Sequence, residues 1–271
     1  PILEKKDLNR IALVGGSLIS GMENYGFFES SMISAFAKES ISFRNIGWPA
    51  DDVFGLARSQ FGSAQNTRSW QPPSAEEGFG SKVLMQHINE AAPSTLIVGY
   101  GSEVAYSKNK GDFELFKNGY IRLLDFVGKK GIKIILLSPA KQEVAFSSLE
   151  ICKKRNNWLA KASDFIKEQA SQRNHIFIDL YTDLVQDYKQ NLYTENGIQL
   201  NKVGYERMSS ILLSNLHLNS ADKFTIEIDE KANILNKTNC QITEFNTTVH
   251  GVSFNLTSAQ ALYAGQLISK E

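Results

Sequence analysis

The chain has 271 residues with 29 basic and 29 acidic side chains, so its formal net charge is zero. A hydrophobic share of 42% and a charged share of 21% are typical of a globular protein with a sizeable core, and they exclude a fibrous or disordered chain. The absence of a lysine–arginine run argues against a nucleic-acid or anionic-membrane partner. No apolar run is long enough for a membrane span.

Five short apolar runs, each followed by a turn, predict five strands buried on both faces. They are 10–14, 41–46, 95–98, 132–137 and 176–178. Apolar stripes at helical spacing lie between them, at 113–127, 158–166 and 203–212. This alternation predicts an α/β fold with a doubly wound, parallel, five-stranded sheet. In such a sheet the ligand site lies beyond the carboxyl ends of the strands.

The segment 57–80 departs from this alternation, because it has no hydrophobic period and many turn-forming residues. A connection of that length is typical of a functional or flexible loop. Trp70 within it is interpreted either as a lid anchor or as a packing plug.

The character of the chain changes near residue 220. The run 224–228 alternates strictly and the run 248–256 more loosely, which predicts strands. We therefore divide the chain into a main domain, 1–220, and a β-rich C-terminal appendage, 221–271. Because three strands are too few to be stable alone, we expect the appendage to pack on the main domain or the native chain to continue past Glu271.

The two cysteines, Cys152 and Cys240, do not form a disulfide framework. We expect two small buried residues, the alternative being one bridge that ties the tail to the main body. No cluster of histidine, cysteine or acidic residues has ligand spacing, so no metal and no cofactor are predicted.

The first predicted strand ends in Gly15-Gly16-Ser17, with a helix soon after. A serine at such a turn is either a nucleophile or a helix cap, and this fragment alone favours the cap. Phosphate binding is a weaker alternative, since no Walker lysine follows and no G-x-G-x-x-G is present.

Three further turns change this interpretation of Ser17. Together with the serine turn, the segments 45–53, 99–104 and 193–205 resemble, in order and spacing, the four blocks of the SGNH (GDSL) hydrolase superfamily. The resemblance covers about residues 8–217. It implies a flavodoxin-like fold, a three-layer sandwich. It also implies an enzyme that cleaves esters, often acyl or acetyl groups on lipids and carbohydrates.

The resemblance also assigns roles. It makes Ser17 the nucleophile and gives the oxyanion hole to the Ser17 N–H, a second-block N–H and a third-block asparagine. Gly16 replaces the usual aspartate, and Ala50 replaces the usual second-block glycine. Glu103 replaces the asparagine, or Ser102 does if the alignment slips by one residue. Gly101 completes the third-block part of the cleft.

The fourth block should supply an aspartate and a histidine three residues apart. Asn196 and Gln199 occupy these positions, and Glu195 is a substitute acid one residue earlier. Gln199 has no titratable group and cannot act as a general base at any pH. Loss of one triad member typically lowers kcat by about 10⁴–10⁶.

Four histidines remain as replacement bases: His87, His175, His217 and His250. The first and third lie on predicted helices, and the second begins the fifth strand at the end opposite the site. Only His250, on the appendage, could fold over the cleft. Glu103 or Glu195 could also serve, given a raised pKa.

The sequence therefore favours a catalytically impaired relative that binds a glycan or an acyl-ester-like ligand in the old cleft. The alternative is an active serine esterase that uses Ser17 with a non-standard base. The predicted partner is a small molecule or carbohydrate, and the oligomeric state is left open. The start at Pro1 and the habit of the family favour a periplasmic or secreted location.

Overall fold

A computed structural model describes most of the main domain and the strands of the appendage. The described ranges are 3–36, 39–61, 79–144, 147–184, 193–218, 224–228, 233–238, 241–248, 251–257 and 265–269. No helix within these ranges is both long and apolar enough to cross a membrane.

The strands and helices follow one another in the alternation that the sequence predicts. The strands are β1 (Arg10–Gly15), β2 (Ser42–Asn45), β3 (Thr95–Gly99), β4 (Lys133–Leu137), β5 (Ile176–Ile178), β6 (Phe224–Ile228), β7 (Ile234–Thr238), β8 (Gln241–Thr248), β9 (Gly251–Thr257) and β10 (Gly265–Ser269). The α-helices are α1 (Lys5–Leu8), α2 (Ser17–Ser20), α3 (Phe27–Ala35), α4 (Phe79–Ala91), α5 (Lys110–Gly128), α6 (Leu149–Gln172), α7 (Leu180–Asp183) and α8 (Lys202–Asn215). Short 3-10 helices span Gly21–Asn24, Leu56–Phe61 and Ser102–Tyr106.

The first five strands form one parallel sheet in the order β2-β1-β3-β4-β5. Successive residues of β1 alternate between two cores. Ala12 and Val14 pack with α4, α5 and α6, while Ile11 and Leu13 pack with α3 and α8. The predicted α/β fold class, a five-stranded parallel sheet between two helical layers, is confirmed.

Strand β2 differs from the prediction that all five strands are buried on both faces. Its residues are exposed or half-buried. The reason is that β2 lies at the edge of the sheet and pairs only with β1 among the described strands. An edge strand has neighbours on one side only, and short, polar edge strands limit pairing between molecules.

Part of the excursion after β2 lies within the described ranges. It begins with the 3-10 helix 56–61 and ends where α4 starts at Phe79. The residues between them, including Trp70, lie outside the described ranges. Cys152 on α6 is buried and free, as expected for a small core residue, while Cys240 lies outside the described ranges.

The appendage contains more strands than the three that the sequence indicates. In its described part, β6 pairs in parallel with β10 and antiparallel with β7, and β8 and β9 form a separate antiparallel pair. The prediction of one strand over 248–256 is wrong, because Thr248 ends β8 and pairs with Gly251, the first residue of β9. The alternation in the sequence continues past the end of β8 and does not show where one strand ends and the next begins. The boundary at residue 220 stays a prediction.

Candidate active site

The turn that carries Ser17 is closely packed, and glycines make this packing feasible. A Cβ on Gly15 would lie 2.5 Å from the Ile19 side chain and 2.6 Å from the carbonyl oxygen of Gly99. A Cβ on Gly16 would lie 2.7 Å from the carbonyl oxygen of Asp51. The end of β1 therefore touches the loops after β2 and β3 directly. An aspartate at position 16, as the resemblance would have it, does not fit this arrangement.

The Ser17 side chain is exposed at the first residue of α2, and its Oγ accepts the Ala50 N–H at 2.9 Å. Ala50 has a φ of +58°, in the left-handed region where glycine is favoured. The N–H assigned to the oxyanion hole by resemblance is thus directed at the serine hydroxyl. The backbone adopts the conformation natural to the missing glycine, although alanine occupies the position.

The loop that presents Ala50 is tied to the serine turn at two points. Asn45 donates from Nδ2 to the carbonyl oxygen of Ile19 at 2.7 Å, and its Oδ1 accepts the Gly47 N–H at 2.8 Å. Trp48 donates its N–H to the carbonyl oxygen of Gly15 at 2.9 Å. The second block is therefore fixed relative to Ser17 by hydrogen bonds to backbone atoms.

A buried ion pair also stabilises this loop. Asp51 accepts from Arg58 Nε at 2.6 Å and from the Tyr100 hydroxyl at 2.9 Å, and the Asp51 and Arg58 side chains are 0% and 1% exposed. Arg58 also donates to the carbonyl oxygen of Ile46 at 2.7 Å. Burial and the negative charge of Asp51 raise the pKa of Tyr100 well above its usual value. Sequence reasoning missed Arg58, which lies in the excursion interpreted as a loop.

None of the histidines in the described ranges forms a hydrogen bond with Ser17. His87 on α4 places Nδ1 2.9 Å from an Arg58 guanidinium nitrogen, and its ring stacks against Trp48. Burial and the Arg58 charge lower the His87 pKa. Because a guanidinium group can only donate, Nδ1 is the acceptor in this contact. His175 directly precedes β5, and His217 is exposed beyond α8. His250 lies outside the described ranges.

The third block is closed by a hydrogen bond between two of its own residues. Gly101 is buried with a φ of +124°, Ser102 is exposed, and Glu103 accepts the Gly101 N–H on Oε2 at 2.8 Å. Burial raises the pKa of Glu103 to about 7, opposed by backbone hydrogen bonds and increased further by the charges of Asp52 and Asp51. Glu103 is therefore a buried carboxyl group whose ionisation falls near neutral pH.

The fourth block is a closed turn in which Asn196 has a backbone role. Thr194 and Leu200 pair across the turn, and the Asn196 Oδ1 accepts the N–H groups of Ile198 at 3.1 Å and Gln199 at 2.8 Å. The Gln199 side chain is exposed and forms no hydrogen bond with any described residue. The side chain at the position that the resemblance assigns to the aspartate thus stabilises the loop through backbone hydrogen bonds.

Glu143, in the turn after β4, anchors this loop. Its carboxylate accepts the N–H of Tyr193 at 3.1 Å, the N–H of Thr194 at 3.0 Å and the Thr194 hydroxyl. Its own N–H donates to the carbonyl oxygen of Gly197 at 2.8 Å. Sequence reasoning missed Glu143, because a single acidic residue between two elements has no motif. Its place after a strand end was the one available signal.

Tyr205 on α8 joins the fourth block to the serine turn. Its hydroxyl donates to the carbonyl oxygen of Leu18 at 3.1 Å and lies 3.5 Å from that of Ser17. Burial raises the Tyr205 pKa to about 12, with smaller contributions from Tyr25 and the exposed Glu195. The Glu195 carboxylate is therefore within electrostatic range of a hydroxyl that touches the serine turn.

The structure thus brings Ser17, Ala50 and the fourth-block loop to one end of the sheet, as predicted for the carboxyl ends of parallel strands. Within the described ranges, no group of three or more histidine, cysteine or acidic residues is arranged to hold a metal ion.

No family model and no curated protein sequence matches the chain. Among solved structures, the chain is similar to a member of the lipolytic G-D-S-L family from Veillonella parvula, at 17% identity and a TM-score of 0.53, over 76% of this chain and 96% of that one. It is also similar to an acetyl xylan esterase, at 16% identity and a TM-score of 0.55, over 76% and 98%.

A gut microbial diltiazem-metabolizing enzyme is similar at 15% identity and a TM-score of 0.57. That match covers 94% of this chain, a share that residues 1–220 alone cannot supply, and this chain spans 57% of that protein's length. At such identities the comparisons show the fold. The fold implied by the four sequence blocks, that of the SGNH (GDSL) hydrolases, is confirmed.

Proposed function

We propose that this chain, which has the SGNH hydrolase fold, is a catalytically impaired relative that binds a glycan or acyl-ester-like ligand in the cleft around Ser17. The observation that supports this proposal comes from the fourth block. Gln199 stands where the resemblance expects the general base, and its side chain is exposed. The Asn196 side chain accepts backbone N–H groups. No imidazole of the described residues contacts Ser17.

The chemical argument concerns the serine proton. Attack on an ester requires a base that removes this proton as the new bond forms. The Ala50 N–H is a donor and points at Oγ, so it stabilises the hydroxyl where it is and accepts nothing. Gln199 cannot titrate. With base and orienting acid both replaced, kcat is expected to fall by about 10⁴–10⁶.

Ligand binding requires fewer functional groups than catalysis does, and the groups that it requires are present in the cleft. Ser17 is exposed, Ala50 supplies an N–H beside it, and both flanking loops are tightly held. The similarity to an acetyl xylan esterase supports an ester or a carbohydrate as the ligand class. A periplasmic or secreted location stays a prediction.

Hydrolysis of an aryl acetate by the full chain and by Ser17→Ala tests this proposal. We expect equal, background rates, and no labelling of the wild-type chain by a fluorophosphonate between pH 5 and pH 9. Turnover that disappears in Ser17→Ala would overturn the proposal.

Restoring the missing pair tests whether the rest of the site is intact. An aspartate at 196 can keep both backbone hydrogen bonds, because Oδ1 only accepts in them. We expect Asn196→Asp with Gln199→His to recover Ser17-dependent turnover, while Asn196→Asp alone, the matched control, stays inactive. An inactive double variant would mean that the cleft has diverged beyond these two positions.

A second candidate function is an active esterase in which Glu195 serves as the base for Ser17. The favouring observation is the effect of the Glu195 charge on Tyr205, whose hydroxyl lies 3.5 Å from the Ser17 carbonyl oxygen. In that case the wild-type chain is labelled by a fluorophosphonate and Glu195→Gln is not. Glu150→Gln, an exposed position on α6, is the control and should retain labelling.

A further inference from the structure

The loop 46–51, which presents the Ala50 N–H at the candidate site, is contacted by a histidine of α4. The ring of His87 stacks against that of Trp48, with the ring centroids 6.3 Å apart and the ring planes inclined by 27°. The Arg58 guanidinium lies 5.7 Å from the centroid of the same Trp48 ring. His87 and Arg58 therefore both pack against the tryptophan of the loop that supplies the donor.

Arg58 connects His87 to both ends of this loop through hydrogen bonds. Its Nη1 lies 2.9 Å from His87 Nδ1, which accepts. Its Nε donates to Asp51 at 2.6 Å, and its Nη2 donates to the carbonyl oxygen of Ile46 at 2.7 Å. One guanidinium group thus uses α4 and both ends of the loop as its acceptors, and the acceptor on α4 is a titratable ring.

A proton on Nδ1 of His87 would remove this contact. An imidazolium ring has two N–H donors and no acceptor, so the hydrogen bond from Arg58 is lost. Two positive charges would then face each other across the distance of a hydrogen bond, which is repulsive. Because the Arg58 and Asp51 side chains are buried as an ion pair, the histidine ring is the group that can move.

The His87 ring has space to leave its position. It is half-buried and borders a groove of about 580 Å³ that is lined by residues of β2, the 3-10 helix 21–24 and α4. Its Nε2 forms no hydrogen bond with a described residue and is not one of the buried unpaired atoms among them, so solvent reaches it. A rotation into the groove would take the ring away from Trp48 and Arg58.

Charged and titratable groups surround His87 and its contact with Arg58. They are Glu90 on α4, Asp51 and Arg58 after β2, Arg44 on β2, Glu23 in the 3-10 helix 21–24 and Tyr100 after β3. Burial and the Arg58 charge lower the His87 pKa from its ordinary value of 6.5, and the charges of Glu90 and Asp51 oppose this only in part. The packed arrangement is therefore favoured above pH 6.5 and loses stability as the pH falls below that value.

We propose that His87 is a pH-sensitive switch on the loop 46–51: when neutral it packs against the loop, and when protonated it leaves the loop and loosens the Ala50 N–H. That N–H donates to Ser17 Oγ at 2.9 Å, so a looser loop weakens the donor side of the site. Resting on the proposed function, the switch lowers the ligand affinity of the Ser17 cleft in mildly acidic solution. The movement of the loop itself needs no ligand.

Amide hydrogen exchange of the full chain, measured by NMR between pH 7.5 and pH 5 together with the pKa of His87, tests the proposal. After correction for the intrinsic pH dependence of exchange, the amides of Gly47, Trp48 and Ala50 should exchange faster as His87 takes up its proton. We expect an acceleration of up to about tenfold for each pH unit that separates the measured pKa from 6.5. It should begin near pH 6.5 and level off below the measured pKa.

His87→Asn removes the titration and keeps an acceptor, because asparagine places Oδ1 where histidine has Nδ1. In this variant we expect no acceleration at Ala50. His217→Asn is the matched control, since residue 217 is exposed beyond α8 and has a φ of +53°, which asparagine tolerates. This control should keep the wild-type acceleration. Glu103, with a pKa of about 7, titrates in the same range and is unchanged in both variants.

The proposal fails if the loop amides do not respond while His87 becomes protonated, or if a folded His87→Asn variant shows the same acceleration as wild type. Should His87→Asn not fold, Glu103→Gln provides the second arm, because it removes the other titrating group and must keep the acceleration. Neither ligand nor turnover enters these measurements. Ser17-dependent esterase activity would therefore overturn the proposed function and leave the switch standing, whereas an unresponsive loop would overturn the switch alone.

Discussion

The two halves of the candidate site differ in how closely their side chains match the pattern that the SGNH resemblance implies. In the serine half, Ser17 and the N–H of Ala50 retain the positions that the SGNH resemblance assigns to nucleophile and donor, at 2.9 Å from each other. In the fourth-block half, the loop and its helix are well formed, but amide side chains stand at the two positions that the resemblance assigns to the acid and the base.

The backbone of each half is held by groups other than those to which the resemblance assigns the catalytic triad. A buried carboxylate, Asp51, supports the serine half, and a half-buried one, Glu143, supports the other through hydrogen bonds to backbone N–H groups. Neither contact depends on the residues at positions 196 and 199. The architecture therefore does not depend on the side chains to which the resemblance assigns the chemistry, which is the separation of fold from function expected of a widely used scaffold.

The largest expected effect is a loss of stability on substitution of Arg58, in the serine half of the site. Arg58→Met leaves the Asp51 carboxylate buried without its cation, and such a change costs about 3–5 kcal/mol of unfolding free energy. Urea denaturation provides the measurement. Arg44→Met, on the exposed face of β2, is the control and should change stability by about 0.5 kcal/mol or less. Similar values for the two variants would contradict the described role of the ion pair.

The next effect concerns Glu103, in the third block. Because its folded pKa is about 7 and the ordinary value is 4.5, the folded state binds more protons between these values, and stability falls as pH rises from about 4.5 to 7. Glu103→Gln removes this fall, so its stability relative to wild type should increase over that window by up to about 3 kcal/mol. Parallel unfolding curves for the two proteins across this pH range would show that Glu103 titrates normally.

In the fourth-block half, we expect a substitution of Glu143 to lower the free energy of unfolding. Glu143→Ala removes the acceptor of three hydrogen bonds, and we expect a loss of about 2–3 kcal/mol. Hydrogen exchange should show faster exchange of the Tyr193 and Thr194 amides, with little change at Ala50. Uniform acceleration across both halves would mean that the two loops do not open independently.

The smallest effect is expected at Ala50. Ala50→Gly removes the left-handed strain of a residue with a Cβ but adds backbone entropy to the unfolded chain, so the net gain is about 1 kcal/mol or less. Ala92→Gly, at a φ of +41° far from the site in sequence, is the matched control and should behave alike. Thermal unfolding measures both. Destabilisation by Ala50→Gly alone would show that the Ala50 methyl group packs favourably.

The sequence by itself determined the five strands, the helical stripes and the order of the four blocks. These follow from local properties, since apolar periodicity and turn residues can be read within a few positions. The same local signal misled at two places. It does not distinguish the edge strand β2 from a buried strand, and it merged the end of β8 with the start of β9 because the alternation in the sequence continues between them.

Only the tertiary structure decided which side chains hold the site together. Arg58 reaches Ile46 and Tyr100 across 12 and 42 residues, and Glu143 reaches Tyr193 across 50. Nothing local marks these partners, because a hydrogen bond depends on where the fold places two atoms and not on the spacing of their residues. The direction of the Glu103 carboxylate, toward Gly101 and beside an aromatic pocket, was fixed in the same way by the packing around it.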